Sequence, residues 1–480
     1  MTDETQADEY DAAALRRFLL GLGEGMNASE SSVDRTSETL QRVATAYGAR
    51  ELEFFVLPTA VMVQTGEGDA GRVGLRTAVN VAFRFDQIAA LYRLIAVAER
   101  GKIEPVAGIR TLNDIGAMKP RWGWFTRTFG HALLTTGLAL LLVPNWWGAV
   151  IAFALGAVIG LVKLIPSSTL GLILPIVVAF GSALVVFPLA TVLDVGDPVL
   201  VLIAPLCTFL PGGALTTGTM ELATGQTVAG ASRLVKGLVQ LALLTFGIVV
   251  AGSLLGVDQY EYVSTGVDSR LGWWAGVLGL VLFAVGNYLH FSAPGRTFPW
   301  VFLVLVVAYL AQLIGAAVGG ATISGFVGAL AMTPVVLWIG GLKRGAPTQL
   351  TFLPAFWLLV PGATGLVGFT EAVGAQAGLD DFAAAFLSII SIALGVLIGT
   401  ALYRLGHQGA EEIFHIDEPA TPSVREDPGL VTRLMHVFPW NRPPEHPHDH
   451  TRRDEQQSAA EDADRPVPGK STSGEGEPGT

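Results

Sequence analysis

Between residues 129 and 403 the chain is a succession of long apolar runs separated by short polar turns. A helix needs about 20 apolar residues to cross a bilayer. Ten runs approach that length: 129–144, 146–164, 170–191, 198–220, 234–255, 271–290, 298–317, 321–341, 350–371 and 383–403, the first starting within Trp122–Phe125. The pattern predicts ten transmembrane helices. Ahead of them the periodicity is mixed. Residues 12–22 and 31–47 have helical spacing, with Ser31 and Asp34 spaced as a variant capping box and Gly48 as a stop. Glu51–Gln64 is β-rich and interrupted by Pro58, which predicts two short strands or one bent strand. A further strand is expected over Arg72–Phe83. A helix is expected over Phe85–Arg100, where Ile88, Leu91, Leu94, Ile95 and Ala98 form a stripe.

These patterns divide the chain into a soluble α/β domain (1–128), two five-helix membrane repeats (129–256 and 270–404) and a disordered tail (405–480). Within the tail only Val431–Trp440 has the character of a surface-lying segment. Composition agrees. Hydrophobic residues make up 51% and charged residues only 15%, which excludes an ordinary soluble enzyme. The net charge of −11 comes mostly from the tail, where 15 acids face 7 bases, so it indicates no basic or acidic partner and no nucleic acid. The lone Cys207 excludes an intramolecular disulfide and a Cys-built metal site. No signal peptide is expected, because the N-terminus lacks a basic region followed by an apolar one.

Basic residues set the orientation. Lys163, Arg233, Lys236, Arg296, Lys343, Arg344 and Arg404 fall on one side, with Lys119, Arg121 and Arg127 ahead of the first helix. The opposite connections hold Arg270 and otherwise acids, Asp258 among them. The expectation is a multi-pass protein of the cytoplasmic membrane with both termini in the cytoplasm.

The fourth and ninth runs share the pattern PGx5Gx2E: Pro211-Gly212 with Glu221, and Pro361-Gly362 with Glu371, 150 residues apart. Each copy lies in the fourth run of a five-helix half. Five is odd, so the second half must be inverted relative to the first, a layout common in secondary transporters. Pro-Gly inside a span removes a donor and weakens the helix, leaving backbone groups open to a polar solute. Thr216, Thr217 and Thr364 add hydroxyls nearby. The candidate solute site is therefore Pro211, Gly212, Thr216, Thr217, Pro361, Gly362 and Thr364, with Asn287 and Gln312 as further polar groups inside apolar runs. Glu221 and Glu371, about 15 Å along a regular helix from their prolines, are candidates for proton coupling or gating, Glu371 as proton acceptor and Glu221 as a gate or ion-pair member. Lys163, His131, His290 and Gln240 read as interhelical bonds or snorkelling ends.

At this point a resemblance is evident. Gly25–Asp34 (GMNASESSVD), Pro58-Thr59-Ala60, Pro205-Leu206 with Pro211-Gly212 and Glu221, and Val360-Pro361-Gly362 are similar to segments of the bacterial threonine/serine exporter family. The resemblance covers roughly residues 12–405. It departs at Cys207-Thr208-Phe209-Leu210, where the family usually has Leu-Val, and at Asp34, where it has Glu. It implies export of small hydroxylated amino acids driven by the proton gradient, so the expected partners are threonine or serine, protons and lipid. No cofactor is implied, and a homo-oligomer is left open.

Two other classes stay in play. A membrane-tethered hydrolase would use Glu30, Asp34 or Asp86 with Thr59 as a polar contact; residues 1–128 contain no histidine, so a Ser-His-Asp set is excluded there. A small-solute channel is compatible with the broken helices. No phosphate loop marks an ATP site, and the tract His446-x-His448-x-His450 is at most a weak metal binder.

Overall fold

The computed structural model describes residues 3–65, 72–77, 82–165, 167–258, 262–263, 271–359, 361–374 and 379–414. The Val431–Trp440 segment and the histidine tract lie outside the described residues.

The N-terminal part holds α1 (Asp3–Ala28), α2 (Val33–Ala46), β1 (Glu53–Leu57), β2 (Ala60–Thr65), β3 (Arg72–Thr77), α3 (Phe85–Ala98) and α4 (Pro105–Gly116). The strands form an antiparallel sheet in the order β1-β2-β3, with Val56 opposite Val61 and Met62 opposite Leu75. Pro58 falls in the tight turn joining β1 and β2, so the β-rich run resolves as two strands. Val56, Val61 and Val63 pack on Phe18, Leu22, Met26, Leu40 and Leu91 from α1, α2 and α3. The structure corrects two local expectations. α1 continues past residue 22 to Ala28, because Met26 and Ala28 are also buried. A fourth helix, α4, follows Pro105, which occupies its first turn.

The membrane part comprises α5 (Trp124–Leu142), α6 (Trp146–Val162), α7 (Ser168–Val192), α8 (Pro198–Leu206), α9 (Gly212–Ala223), α10 (Thr227–Leu255), α11 (Trp274–His290), α12 (Phe298–Gly341), α13 (Thr348–Leu358), α14 (Pro361–Gly374) and α15 (Leu379–Phe414). Each of the ten apolar runs contains helix among the described residues, with the run 198–220 interrupted at Cys207–Pro211. Among the described residues, five segments are long and apolar enough to cross a membrane: Ile173–Val192, Thr227–Leu255, Gly295–Gly320, Ile323–Gly341 and Phe386–Gly406. The bent pair α8–α9 makes a sixth. This is a helical membrane protein with five to six spans by that measure, fewer than the ten expected, because α5 carries Arg127 and His131 among its 19 residues, α6 and α11 have only 17 residues each, and α13 and α14 are helices of 11 and 14 residues. Helix α15 runs to Phe414, so residues 405–414, assigned from composition to the tail, are helical.

Apolar side chains point outward around the bundle, among them Val150, Val158, Val177, Val235, Phe246 and Leu310. An outward apolar surface of this extent is stable only against lipid. Aromatic residues gather at the helix ends: Trp124 and Phe125 begin α5, while Trp146, at the start of α6, lies 5.7 Å from Trp274, at the start of α11. Such belts suit the two membrane interfaces.

Two features organise the bundle. Helices α5 and α11 run antiparallel with their backbones in contact. A Cβ built on Gly130 would lie 2.6 Å from the His290 nitrogen, and one on Gly279 would lie 2.8 Å from the Gly137 carbonyl. Helix α12 folds back on itself at Gly319–Gly320, where Gly320 takes φ 73, a left-handed conformation that favours glycine. The Ser324 hydroxyl then donates to the Gln312 carbonyl at 3.0 Å across the fold.

Candidate functional site

A cavity of about 2240 Å³ lies between the N-terminal domain and the membrane helices. It exceeds the 300–1,000 Å³ typical of a small-molecule pocket and has the size of a vestibule. One wall is the soluble domain, through Asn27, Glu30, Asp34, Glu38 and Tyr92. The other is formed by Phe209, Gly213, Ala214, Thr217 and Met220 around the α8–α9 break, with Arg233 and Lys236 of α10, Phe352 and Phe356 of α13, and Thr400 of α15.

The break follows from its sequence. Pro205 and Pro211 each remove a backbone donor. The chain passes through a 3₁₀ turn at Cys207–Phe209, extends at Leu210, and resumes as α9 at Gly212, bent by 70°. Helix α9 then turns at Gly225, φ 90, and pairs with α10. Gly218 and Gly230 make that pairing close: a Cβ on Gly230 would lie 2.6 Å from the Gly218 carbonyl.

The soluble domain is fastened to this hairpin. Glu221, on the last turn of α9, accepts both Arg233 Nε, at 3.2 and 3.0 Å, and the backbone N–H of Val33, at 3.0 Å. Val33 is the first residue of α2, and Ser32 ahead of it makes no side-chain cap. The expected local capping box is therefore replaced by a carboxylate from the membrane domain, which satisfies an open donor at a helix N-terminus. Arg233 Nη2 donates to the Ser31 carbonyl at 2.9 Å. Asp34 accepts from Thr224 at 3.1 Å and from Gln226 at 2.6 Å. From the second half, Gln349 of α13 donates to the Ser29 carbonyl at 2.9 Å. The Phe85 N–H donates to the Phe291 carbonyl at 3.1 Å, and their rings stack at 5.0 Å with Trp357 beside them.

Glu30 sits at the centre of this interface with φ 57, held by the Glu30 N–H bond to Asn27 and by Gln349 against its carbonyl. Its carboxylate opens into the cavity, with Oε2 3.5 Å from where a Gly213 Cβ would stand. Burial raises the Glu30 carboxyl above the usual 4.5 while Arg233 and Lys236 draw it down. Burial likewise raises Asp34, offset by its bonds from Thr224 and Gln226.

The expected site residues distribute unevenly. Of the expected residues at the first break, Thr217 faces the cavity, whereas Pro211 and the buried Gly212 do not; Gly213, which was not expected, takes their place in the wall. Thr216 is fully buried, and its hydroxyl has no partner among the described residues. Pro361, Gly362 and Thr364 open α14, which packs against α9 and α10. The side chains of 361–364 lie outside the described residues, and α14 contributes no described side chain to the cavity wall. Glu371 is buried and partnered near the end of α14. Asn287 donates to the Phe283 carbonyl of its own helix at 2.9 Å, and Gln312 sits at the α12 fold; neither lines the cavity. Asp86 is held by Arg84 at 3.1 and 3.3 Å.

A second cluster was not anticipated. His131 of α5 donates from Nδ1 to the Gly156 carbonyl at 2.7 Å, so Nε2 accepts the Thr208 hydroxyl at 3.1 Å, at the helix break. Gly160 makes room: a Cβ there would lie 2.8 Å from the His131 Cβ. The His131 and His290 rings meet at 4.7 Å. The recurrence of histidine at the facing ends of two separate runs was the available signal.

Comparison with known proteins fits this arrangement. Residues 17–255 match the family model ThrE, described as "Putative threonine/serine exporter". Residues 17–255 belong to that family. The match runs from α1 to the end of α10, so it includes the soluble domain, the α8–α9 break and the Glu221–Arg233 hairpin, and it stops before the second half. A curated relative, an uncharacterized protein of Schizosaccharomyces pombe, is 24% identical over 319 residues, or 60% of this chain. The chain spans about a third of that relative's length, 36%. No solved structure matches this chain.

Proposed function

We propose that the protein is a secondary exporter of small hydroxylated amino acids, threonine and serine, working by alternating access between residues 129–256 and 270–404. The observation that carries this reading is the vestibule, which ends at a broken helix whose Gly213, Ala214 and Thr217 form its wall. Broken helices that end in a cavity are where transporters place their solutes. With the soluble domain cytoplasmic, the vestibule is the inward-facing entrance.

Ten spans in two inverted halves are supported by three features: the antiparallel α5–α11 seam, the fold of α12 into two helices at Gly320, and reciprocal packing in which α10 meets α14 while α15 meets α9. Solute binds between the halves, against Pro211–Thr217 and Pro361–Thr364. Protons drive export, Glu371 accepting the proton and Glu221 acting as gate and ion-pair member. The hydrolase alternative loses ground because Asp34 and Asp86 are committed to neighbouring side chains.

The test is flux in proteoliposomes. Threonine should move uphill when a proton gradient is imposed, and an uncoupler should abolish that movement. Downhill flux alone, insensitive to the uncoupler, identifies a channel.

A further inference from the structure

We propose that Lys163 and Arg127 form the subsite that receives the α-carboxylate of the transported amino acid. This deepens, and rests on, the exporter reading above. The two side chains come from the end of α6 and the start of α5, and both line the vestibule. They lie within electrostatic reach of one another and of His290.

What sets the cluster apart is that it has no acid of its own. Lys163 Nζ lies 5.2 Å from the centre of the Phe209 ring and makes no ion pair among the described residues. Arg127 Nε is buried without a hydrogen-bond partner. Asp86, which is within electrostatic reach of Arg127, is already bound in bidentate fashion by Arg84. His290, beside Lys163 and Arg127, donates from Nδ1 to the Arg127 carbonyl at 3.0 Å, which leaves its Nε2 an acceptor and holds the Arg127 main chain in place. Positive charge gathered in a low-dielectric wall is costly unless an anion completes it. By contrast, Arg233 across the cavity is satisfied by Glu221, and Lys236 has Glu30 within reach.

The position also suits the chemistry. Phe209 belongs to the 3₁₀ turn that interrupts α8 and α9, and Thr208 beside it is tied to His131. A carboxylate on Lys163 would therefore rest against the break itself. Rearrangement of the break would then change the affinity of the subsite, which is what a carrier requires.

The experiment uses the full-length protein in liposomes and reads acylation of Lys163 by an amine-reactive ester, with mass spectrometry at that residue. Threonine and the simple monocarboxylate lactate should slow the reaction several-fold, and threoninamide, which lacks the carboxylate, should not. Equal protection by threonine and its amide, or by neither, overturns the subsite. Protection by lactate and threonine in a protein that moves no threonine leaves the subsite standing and removes the exporter reading. In flux assays, Lys163→Met should raise KM for threonine at least tenfold with little change in kcat, and Lys163→Arg should restore most of it. An equal loss for threonine and threoninamide would show a structural role only.

Discussion

Glu221 and Arg233 face each other across the α9–α10 turn, and each also holds the soluble domain: the carboxylate takes the Val33 N–H and the guanidinium takes the Ser31 carbonyl. The ion pair is thus a bracket between domains. The Glu221 side chain is 1% exposed and that of Arg233 13%. Removing one partner of a buried pair strands the other and costs about 3–5 kcal/mol. Glu221→Gln should lower Tm in detergent and increase proteolytic cutting of the α4–α5 connection. The double variant Glu221→Gln with Arg233→Gln should recover part of the Tm. An unchanged Tm and cutting rate in Glu221→Gln would deny the bracket.

Gly213 separates transport from packing. A Cβ there meets only Glu30 Oε2, whereas one on Gly230 meets the Gly218 backbone. Gly213→Leu should reach the membrane in normal amount with threonine flux reduced at least tenfold, and Gly230→Leu should fail to accumulate. Normal flux in Gly213→Leu would move the solute path away from the break.

The interface should weaken as pH rises. Glu30 and Asp34 are raised above their usual 4.5 and 3.8, so the folded protein holds protons that the unfolded chain has released. Their contribution is complete below those usual values and is lost as pH climbs through the raised ones. Between about pH 4 and 7, spanning the usual carboxylate range and above, the Tm of wild type should fall more steeply than that of Glu30→Gln. Parallel curves would remove Glu30 from the effect.

Glu371→Gln tests coupling. A neutralised coupling residue should abolish uphill threonine export and spare counterflow exchange. Loss of both would assign Glu371 a structural role, and undiminished uphill export would exclude it from coupling.

Orientation is open to labelling. With Cys207 replaced by Ser, a cysteine at Asp258 should react with an impermeant thiol reagent from outside, and one at Lys343 should not; both positions are exposed. The reverse pattern would invert the protein and its vestibule.

The sequence made the helical runs, the first Pro-Gly break and the sheet strands legible, because each is written in neighbouring residues: apolar length, a lost donor, alternation around Pro58. What it hid lies between distant residues. Nothing near Val33 announces that its N–H is capped by Glu221, 188 positions away, or that Gln349 of α13 clamps Ser29. The capping-box reading of Ser31 and Asp34 missed for this reason: both residues serve the interface, Ser31 through its carbonyl and Asp34 through Thr224 and Gln226. Lys163 and Arg127 looked like ordinary charged helix ends, since only the folded chain shows that acids are missing around them.

The α5–α11 seam limits how such a protein moves. At Gly130, Gly137, Gly279 and Gly286 one main chain rests on the other, and no side chain intervenes whose rotamer could change. That seam cannot part by degrees, nor slide without backbone collision. If access alternates as proposed, the two helices would work as an axle, and the vestibule would open and shut by swinging the outer helices around a fixed centre line. Bulk added at the axle would then stop transport, whereas bulk added at the rim would only change its stroke.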